Sequence, residues 1–203
     1  MSRVDELRCR VSREAAALLY FGVEKEYKQA KLRAAEIIGV HFLPTNFEVA
    51  LELDALADEK EGYVRKERLF LMRQEALKFL KLLAEFCPLL IGSVWRGTAR
   101  LGSDIDIAVY TDSPGQVLKL LRDSNVIVHR SCWSRVNKQG VTLSSFHIYA
   151  ETETKNSLEI TIRSSDEADK KRKCNIFGDE IKGLNIFELG KLLKENATKQ
   201  FLP

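Results

Sequence analysis

Residues 91–110, IGSVWRGTARLGSDIDIAVY, decide how this chain is read. An apolar strand ends in Gly92-Ser93, and the chain then turns toward helix. Backbone N–H groups at the start of a helical turn, beside a serine hydroxyl and a glycine without a side chain, make a cradle for phosphate oxygens. Ten residues on, Asp104 and Asp106 alternate with Ile105, Ile107 and Val109. Side chains on a strand alternate faces, so both carboxylates project to one side while the apolar residues anchor the other. Two carboxylates held side by side repel unless a cation lies between them. Magnesium prefers oxygen ligands and is commonly held by one or two carboxylates plus substrate phosphates, so the pattern reads as a magnesium–nucleotide site. Two-metal phosphoryl chemistry needs a further carboxylate. Glu159 supplies one: in SLEITIRS it lies opposite Leu158, Ile160 and Ile162 on another strand.

Outward from this stretch the texture differs on the two sides. Residues 1–87 read as helix. Leu7, Val11, Ala15, Leu18 and Leu19 recur at helical spacing up to Gly22, and Val23, Tyr27, Ala30, Ala34 and Ile38 up to Gly39. Thr45 or Asn46 caps a third helix carrying Val49, Leu53, Leu56 and Ala57 and closed by Gly62. A fourth, with Leu69, Met72, Ala76, Leu80 and Leu83, stops before Pro88. From residue 88 short strands alternate with turns: PLLIGS, DIDIAVY, NVIVHRSC, LSSFHIYAE and SLEITIRS are strands, and SPGQVLKLLRDS is a helix with proline just inside its start. CNIFGDEIKGL forms a tight hairpin around Gly178, and Asn185 with Glu188 starts a final helix. The fold class is therefore α/β (α+β): a helical region, residues 1–87, followed by a small mixed sheet with helices on one face, residues 88–203.

Composition narrows the function classes. With 45% hydrophobic and 30% charged residues in 203, the chain is too apolar for a disordered protein and too interrupted by charge for a membrane protein. The N-terminus is charged from Arg3 and lacks a secretory pattern, so the expected location is the cytoplasm. Cys9, Cys87, Cys132 and Cys174 are scattered with no C-x-x-C pair, which argues against a zinc site or disulfide framework. A net charge of +3 suits a phosphate-bearing partner without pointing to nucleic acid by itself.

Taken as a string, GSVWRGTARLGSDIDIAV resembles the signature of the DNA polymerase β-like nucleotidyltransferase superfamily: Gly-Ser, an Arg-Gly-Thr, then an Asp-x-Asp strand. The helical N-terminal part and the Cys-Asn-Ile-Phe-Gly-Asp-Glu-Ile-Lys-Gly-Leu region are also similar to stand-alone archaeal members. The resemblance implies that Gly92 and Ser93 contact a nucleoside triphosphate such as ATP, with Arg96, Arg100 and Ser103 as further nucleotide-binding residues. It implies that Asp104 and Asp106 bind catalytic magnesium, two ions in all with manganese able to substitute, and that Glu159 is the third catalytic carboxylate. The implied reaction is transfer of an NMP from an NTP to an acceptor hydroxyl of RNA, protein or a small molecule, with release of pyrophosphate.

Several residues carry two readings. Arg96 and Arg100 are triphosphate partners or exposed helix cations. Trp95 and Trp133 stack on a base or pack between helix and sheet. His147 shares a face with Tyr149 and Glu151, near the site or simply structural. Lys170, Lys171, Arg172 and Lys173 face an acidic acceptor or are solvated, with Asp166, Glu167 and Asp169 cancelling their field. The N-terminal helices pack on the sheet or on a second copy, giving a homo-oligomer. The alternatives to an enzyme are a non-catalytic nucleotide- or RNA-binding regulator that keeps the cradle, and a scaffold built by helix self-association.

Overall fold

The structure is a computed structural model that describes residues 3–138 and 141–203. Helices α1 (Arg3–Tyr20), α2 (Tyr27–Ile38), α3 (Asn46–Glu61) and α4 (Tyr63–Leu82) are followed by a 3₁₀ turn and β1 (Leu89–Ile91). Then come α5 (Gly92–Arg96), β2 (Ile105–Tyr110), α6 (Pro114–Asp123), β3 (Ile127–Lys138), β4 (Val141–Glu151), β5 (Ser157–Arg163) and α7 (Ile186–Glu195). No described helix is long and apolar enough to cross a membrane.

The chain forms two compact units. The first is residues 1–65 with 173–180 and residue 203, and the second is residues 66–172 with 181–202. The change of texture at Pro88 marks the step from helix to strand, whereas the units divide between Arg65 and Lys66. The physical reason is the apolar stripe of α4: Leu69, Met72, Ala76, Leu80 and Leu83 are buried in the same cluster as the sheet.

In the first unit, α1, α2 and α3 bury Val11, Ala15, Leu19, Ala30, Ala34 and Val49. The small residues let the helices approach closely. Thr45 caps α3 with a reciprocal box, its hydroxyl accepting from the Glu48 N–H while the Glu48 carboxylate accepts from the Thr45 N–H. Buried Arg65 pairs with both Asp54 and Asp58. The hairpin expected around Gly178 is present as a bridge between Lys173 and Glu180.

The second unit is built on a five-stranded sheet of order β1-β2-β5-β4-β3, in which only β2 and β5 run parallel. Ile105, Ile107 and Val109 of β2, Leu158, Ile160 and Ile162 of β5, and Ile148 and Ala150 of β4 face the helices. There they pack against α4, Val117 and Leu121 of α6, and Leu189 and Leu192 of α7. Because the strands alternate, Asp106, Ala108 and Tyr110 of β2 and Glu159, Thr161 and Arg163 of β5 share the other face.

Arg73 sits within the apolar stripe of α4 and is fully buried. Its guanidinium has no carboxylate partner among the described residues. Nε donates to the Val94 carbonyl at 3.0 Å, Nη2 to Trp95 at 2.8 Å and Lys199 at 3.0 Å, and Nη1 to Ala197 at 2.6 Å. Burial alone lowers its pKa to about 10. A cation against carbonyls at the end of a helix is the favourable polarity, and here it clamps α5 and the C-terminal segment together. Arg73→Met removes four acceptors' partner at once. Since each orphaned buried group costs about 1–3 kcal/mol, a loss of several kcal/mol is expected, read as a drop in urea midpoint.

Candidate active site

The site grows from the β1–α5 junction. β1 pairs antiparallel with β2 so that Ile91 lies opposite Asp106. The next residue, Gly92, turns with φ of 70°, in the left-handed region that glycine adopts without penalty. It also stands directly against the Asp106 carboxylate: a Cβ built on Gly92 would lie 2.0 Å from Asp106 Oδ2. Glycine is therefore required twice here, for its φ and for the absence of a side chain. Ser93 follows in the first turn of α5.

Asp104 arrives from a tight turn over residues 100–103. The Ser103 N–H donates to the Arg100 carbonyl at 3.0 Å and its hydroxyl accepts from the Arg100 N–H at 2.9 Å. The Ser103 hydroxyl thus shapes the turn that delivers Asp104. Asp106 is half-buried and Asp104 exposed. Glu159 is the register partner of Asp106 on the neighbouring parallel strand, roughly 4.8 Å away in the hydrogen-bonding direction.

The charges of the neighbouring carboxylates act on Asp104 and Asp106. Burial first, then the charge of Glu159, raises the Asp104 pKa. Burial, then Glu159, then Asp104, pushes Asp106 up to about 7. A set of hard oxygen donors that repel one another and abut a cradle is the donor chemistry a divalent cation such as magnesium fits. Among the described residues no group of three or more His, Cys, Asp or Glu already has metal-ligand spacing. Glu159 Oε1 lies 2.7 Å from His147 Nδ1. Glu159 Oε2 has no hydrogen-bond partner among the described residues.

His147 is thus drawn into the site and is not a bystander. Its Nε2 lies 2.7 Å from Ser145 Oγ, and its ring stacks on Tyr149 at 6.3 Å. With Nδ1–H donating to the Glu159 carboxylate, Nε2 of a neutral ring accepts from the Ser145 hydroxyl. Sequence reasoning saw His147 on this face but had no signal for its partner, which comes from the pairing of β4 with β5.

The other residues divide. Arg96 is buried rather than turned toward the cradle. Its guanidinium lies over the Trp95 ring and donates to the Phe201 carbonyl at 3.0 Å, fastening the C-terminal segment. Trp95 is buried in the core, which decides for packing over base stacking. Arg100 is half-buried, its guanidinium donating to the neighbouring Leu101 carbonyl at 3.3 Å. Trp133 remains exposed, edge-on to Phe146. Of the basic run, Lys170 pairs with Asp166 and Arg172 with Glu167.

Two cavities, of about 420 Å³ beside Phe79 and Leu82 and about 270 Å³ beside Trp133 and Phe146, are not lined by Asp104, Asp106 or Glu159. Asp106 and Glu159 instead lie on the sheet face turned away from the helices.

The raised Asp106 pKa makes a prediction for the metal-free protein. Its folded pKa of about 7 exceeds the unfolded value near 4, so between those limits folding takes up a proton and stability falls as pH rises. The urea midpoint of chelator-treated protein is expected to climb from pH 8 to pH 5. In Asp106→Asn this dependence should largely flatten and the midpoint at pH 8 should rise. An unchanged slope in the variant would show that Asp106 is not the strained group.

The nucleotidyltransferase domain family matches residues 72–176, a little over half of the chain, and the matched stretch spans β1, α5 and all five strands of the sheet. No curated protein matches. A similar solved structure is that described as "Structural Basis for the Activity of a Cytoplasmic RNA Terminal U-transferase". It is 17% identical over 58% of this chain and 34% of that chain, with a TM-score of 0.30, so this chain spans about a third of that one's length. With Gly92-Ser93 beside the Asp104–Asp106 pair inside the matched segment, the chain belongs to the nucleotidyltransferase domain family.

Proposed function

We propose that the sheet face bearing Asp106 and Glu159 transfers an NMP from a nucleoside triphosphate, ATP among them, to an acceptor hydroxyl. The observation that carries this is the abutment of Gly92 on Asp106, which sets a side-chain-free cradle against a pair of aspartates. Gly92, Ser93 and the guanidinium of Arg100 take the triphosphate oxygens. Asp104, Asp106 and Glu159 Oε2 would hold magnesium, two ions with manganese as a substitute. Held there, such ions would supply neutralisation of charge on the phosphate oxygens and a lowered pKa for the acceptor hydroxyl. Asp104 and Asp106, as bare carboxylates, would repel a phosphate, so their role is to hold the cation that neutralises it. A new P–O bond forms at the α-phosphorus, the bond to pyrophosphate breaks, and Glu159, oriented by His147, accepts the hydroxyl proton. Little covalent work is asked of the chain, since alignment and electrostatics carry phosphoryl chemistry. The helices of the first unit are assigned to support or to self-association.

The test is incubation with each α-labelled NTP and magnesium across RNA, protein and small-molecule acceptors. Label transferred with release of pyrophosphate supports the reading. Absence of transfer to every acceptor class, with NTP still bound, would favour a nucleotide-binding regulator.

A further inference from the structure

We propose that Arg163 and Arg172, with the Tyr110 hydroxyl, form a phosphate-binding site for a nucleic-acid acceptor strand. Tyr110 and Arg163 lie on the same sheet face as Asp106 and Glu159. This rests on the transferase reading and names the acceptor class.

Tyr110 and Arg163 are register partners at the C-terminal ends of β2 and β5. They lie four residues from Asp106 and Glu159, roughly 13 Å along the strands. Arg163 is half-buried, and its guanidinium makes no hydrogen bond or ion pair with any described residue. Arg172 stands near enough to be repelled. Its pKa is lowered by burial and then by the charge of Arg163, with Tyr110 opposing. Burial likewise lowers the pKa of Arg163, again opposed by Tyr110. Glu167 occupies Nη2 of Arg172. The Nε of Arg172 is buried without a partner, the only such side-chain atom among the described residues. Buried donors are almost always satisfied, and Glu167 answers only Nη2 of Arg172, so the buried Arg172 Nε and the half-buried Arg163 guanidinium are left without an acceptor among the described residues. Their planar forks match phosphate geometry.

The position of the pair excludes the triphosphate as its natural occupant. Gly92 and Ser93 hold that group at the opposite end of β2. A strand with its terminal hydroxyl at the carboxylates would lay an internal phosphate at the arginines. Between the two ends runs β4, whose His147 and Tyr149 rings stack side by side on this face, with Arg130 over Tyr149 at 4.4 Å. Stacked rings beside a cationic site suit the bases of a single strand, whereas a phosphopeptide has no use for them.

The experiment is fluorescence anisotropy of a labelled single-stranded RNA decamer on the full chain across a salt series, with magnesium–ATP affinity measured separately by calorimetry. Arg163→Gln should weaken RNA binding about tenfold and reduce the salt slope by about 0.7, the single-strand value for one phosphate contact. ATP affinity should stay unchanged. Arg163→Lys and Tyr110→Phe should give smaller losses and keep the test open if the glutamine variant folds poorly. RNA affinity unchanged in all three would overturn the proposal. So would a parallel loss of ATP affinity, or a phosphopeptide of equal charge competing as well as RNA. If wild type binds RNA with this arginine dependence but transfers no label, the transferase reading fails and the site stands. If wild type labels RNA and Arg163→Gln does so with unchanged KM, the site fails and the transferase reading stands.

Discussion

Asp104→Ala combined with Asp106→Ala should reduce NMP transfer from an α-labelled NTP by at least about a thousandfold, because charge stabilisation by metal and oxyanion groups is worth several kcal/mol of barrier. The loss should come without loss of fold. Asp104 is exposed, and Asp106 is a half-buried carboxylate crowded by two others. Removing both relieves repulsion, so the metal-free variant is expected to be at least as stable as wild type by urea titration. Opposite movement of activity and stability is the signature of a site held under electrostatic strain for function. A simple structural role predicts the reverse, with both falling together. The single Asp106→Asn variant sharpens the comparison, since it keeps the side chain's shape against Gly92 and removes only its charge. Transfer within tenfold of wild type in the double variant would remove these aspartates from the chemistry.

What the sequence made legible follows from where the information lies. The Asp104–Asp106 pair, the core face of β2 and the Thr45 and Asn185 capping boxes are local patterns, set by residues two to four apart, and the structure shows these elements. The role of His147 is non-local. It depends on β4 pairing antiparallel with β5, and no spacing along the chain places Nδ1 on Glu159. Arg96 shows the converse. Its position beside the cradle residues suggested phosphate, but α5 is only five residues long, and Arg96 at its last turn points into the core toward Phe201. Arg73 carried a usable signal, an arginine on the stripe that joins Leu69, Met72 and Ala76. Only the distant Ala197 and Lys199 carbonyls reveal what it holds. Arg172 lay in a run whose acidic neighbours looked sufficient to cancel it. The buried, partnerless Nε became visible only with the fold.

Gly92→Ala should lower transfer by about a hundredfold or more, the scale associated with misplacing a catalytic group by an ångström. Two costs add. A φ of 70° is strained for any residue with a Cβ, by about 1–2 kcal/mol. The new methyl would also stand 2.0 Å from Asp106 Oδ2, 2.8 Å from its Cγ and 3.0 Å from its Cβ, so the carboxylate must swing away. Gly22→Ala separates these costs. Gly22 has the same φ of 70°, but a Cβ there meets nothing within 4 Å. It should lose a comparable increment of stability and keep full activity. If Gly92→Ala behaved like Gly22→Ala, the close approach to Asp106 would be packing without catalytic consequence. A selective loss of transfer at Gly92, greater than its loss of stability, would show that the cradle and the aspartate act as one geometric unit. In that case Asp106→Asn in the Gly92→Ala background should cost little further activity, because residues acting as a unit are non-additive.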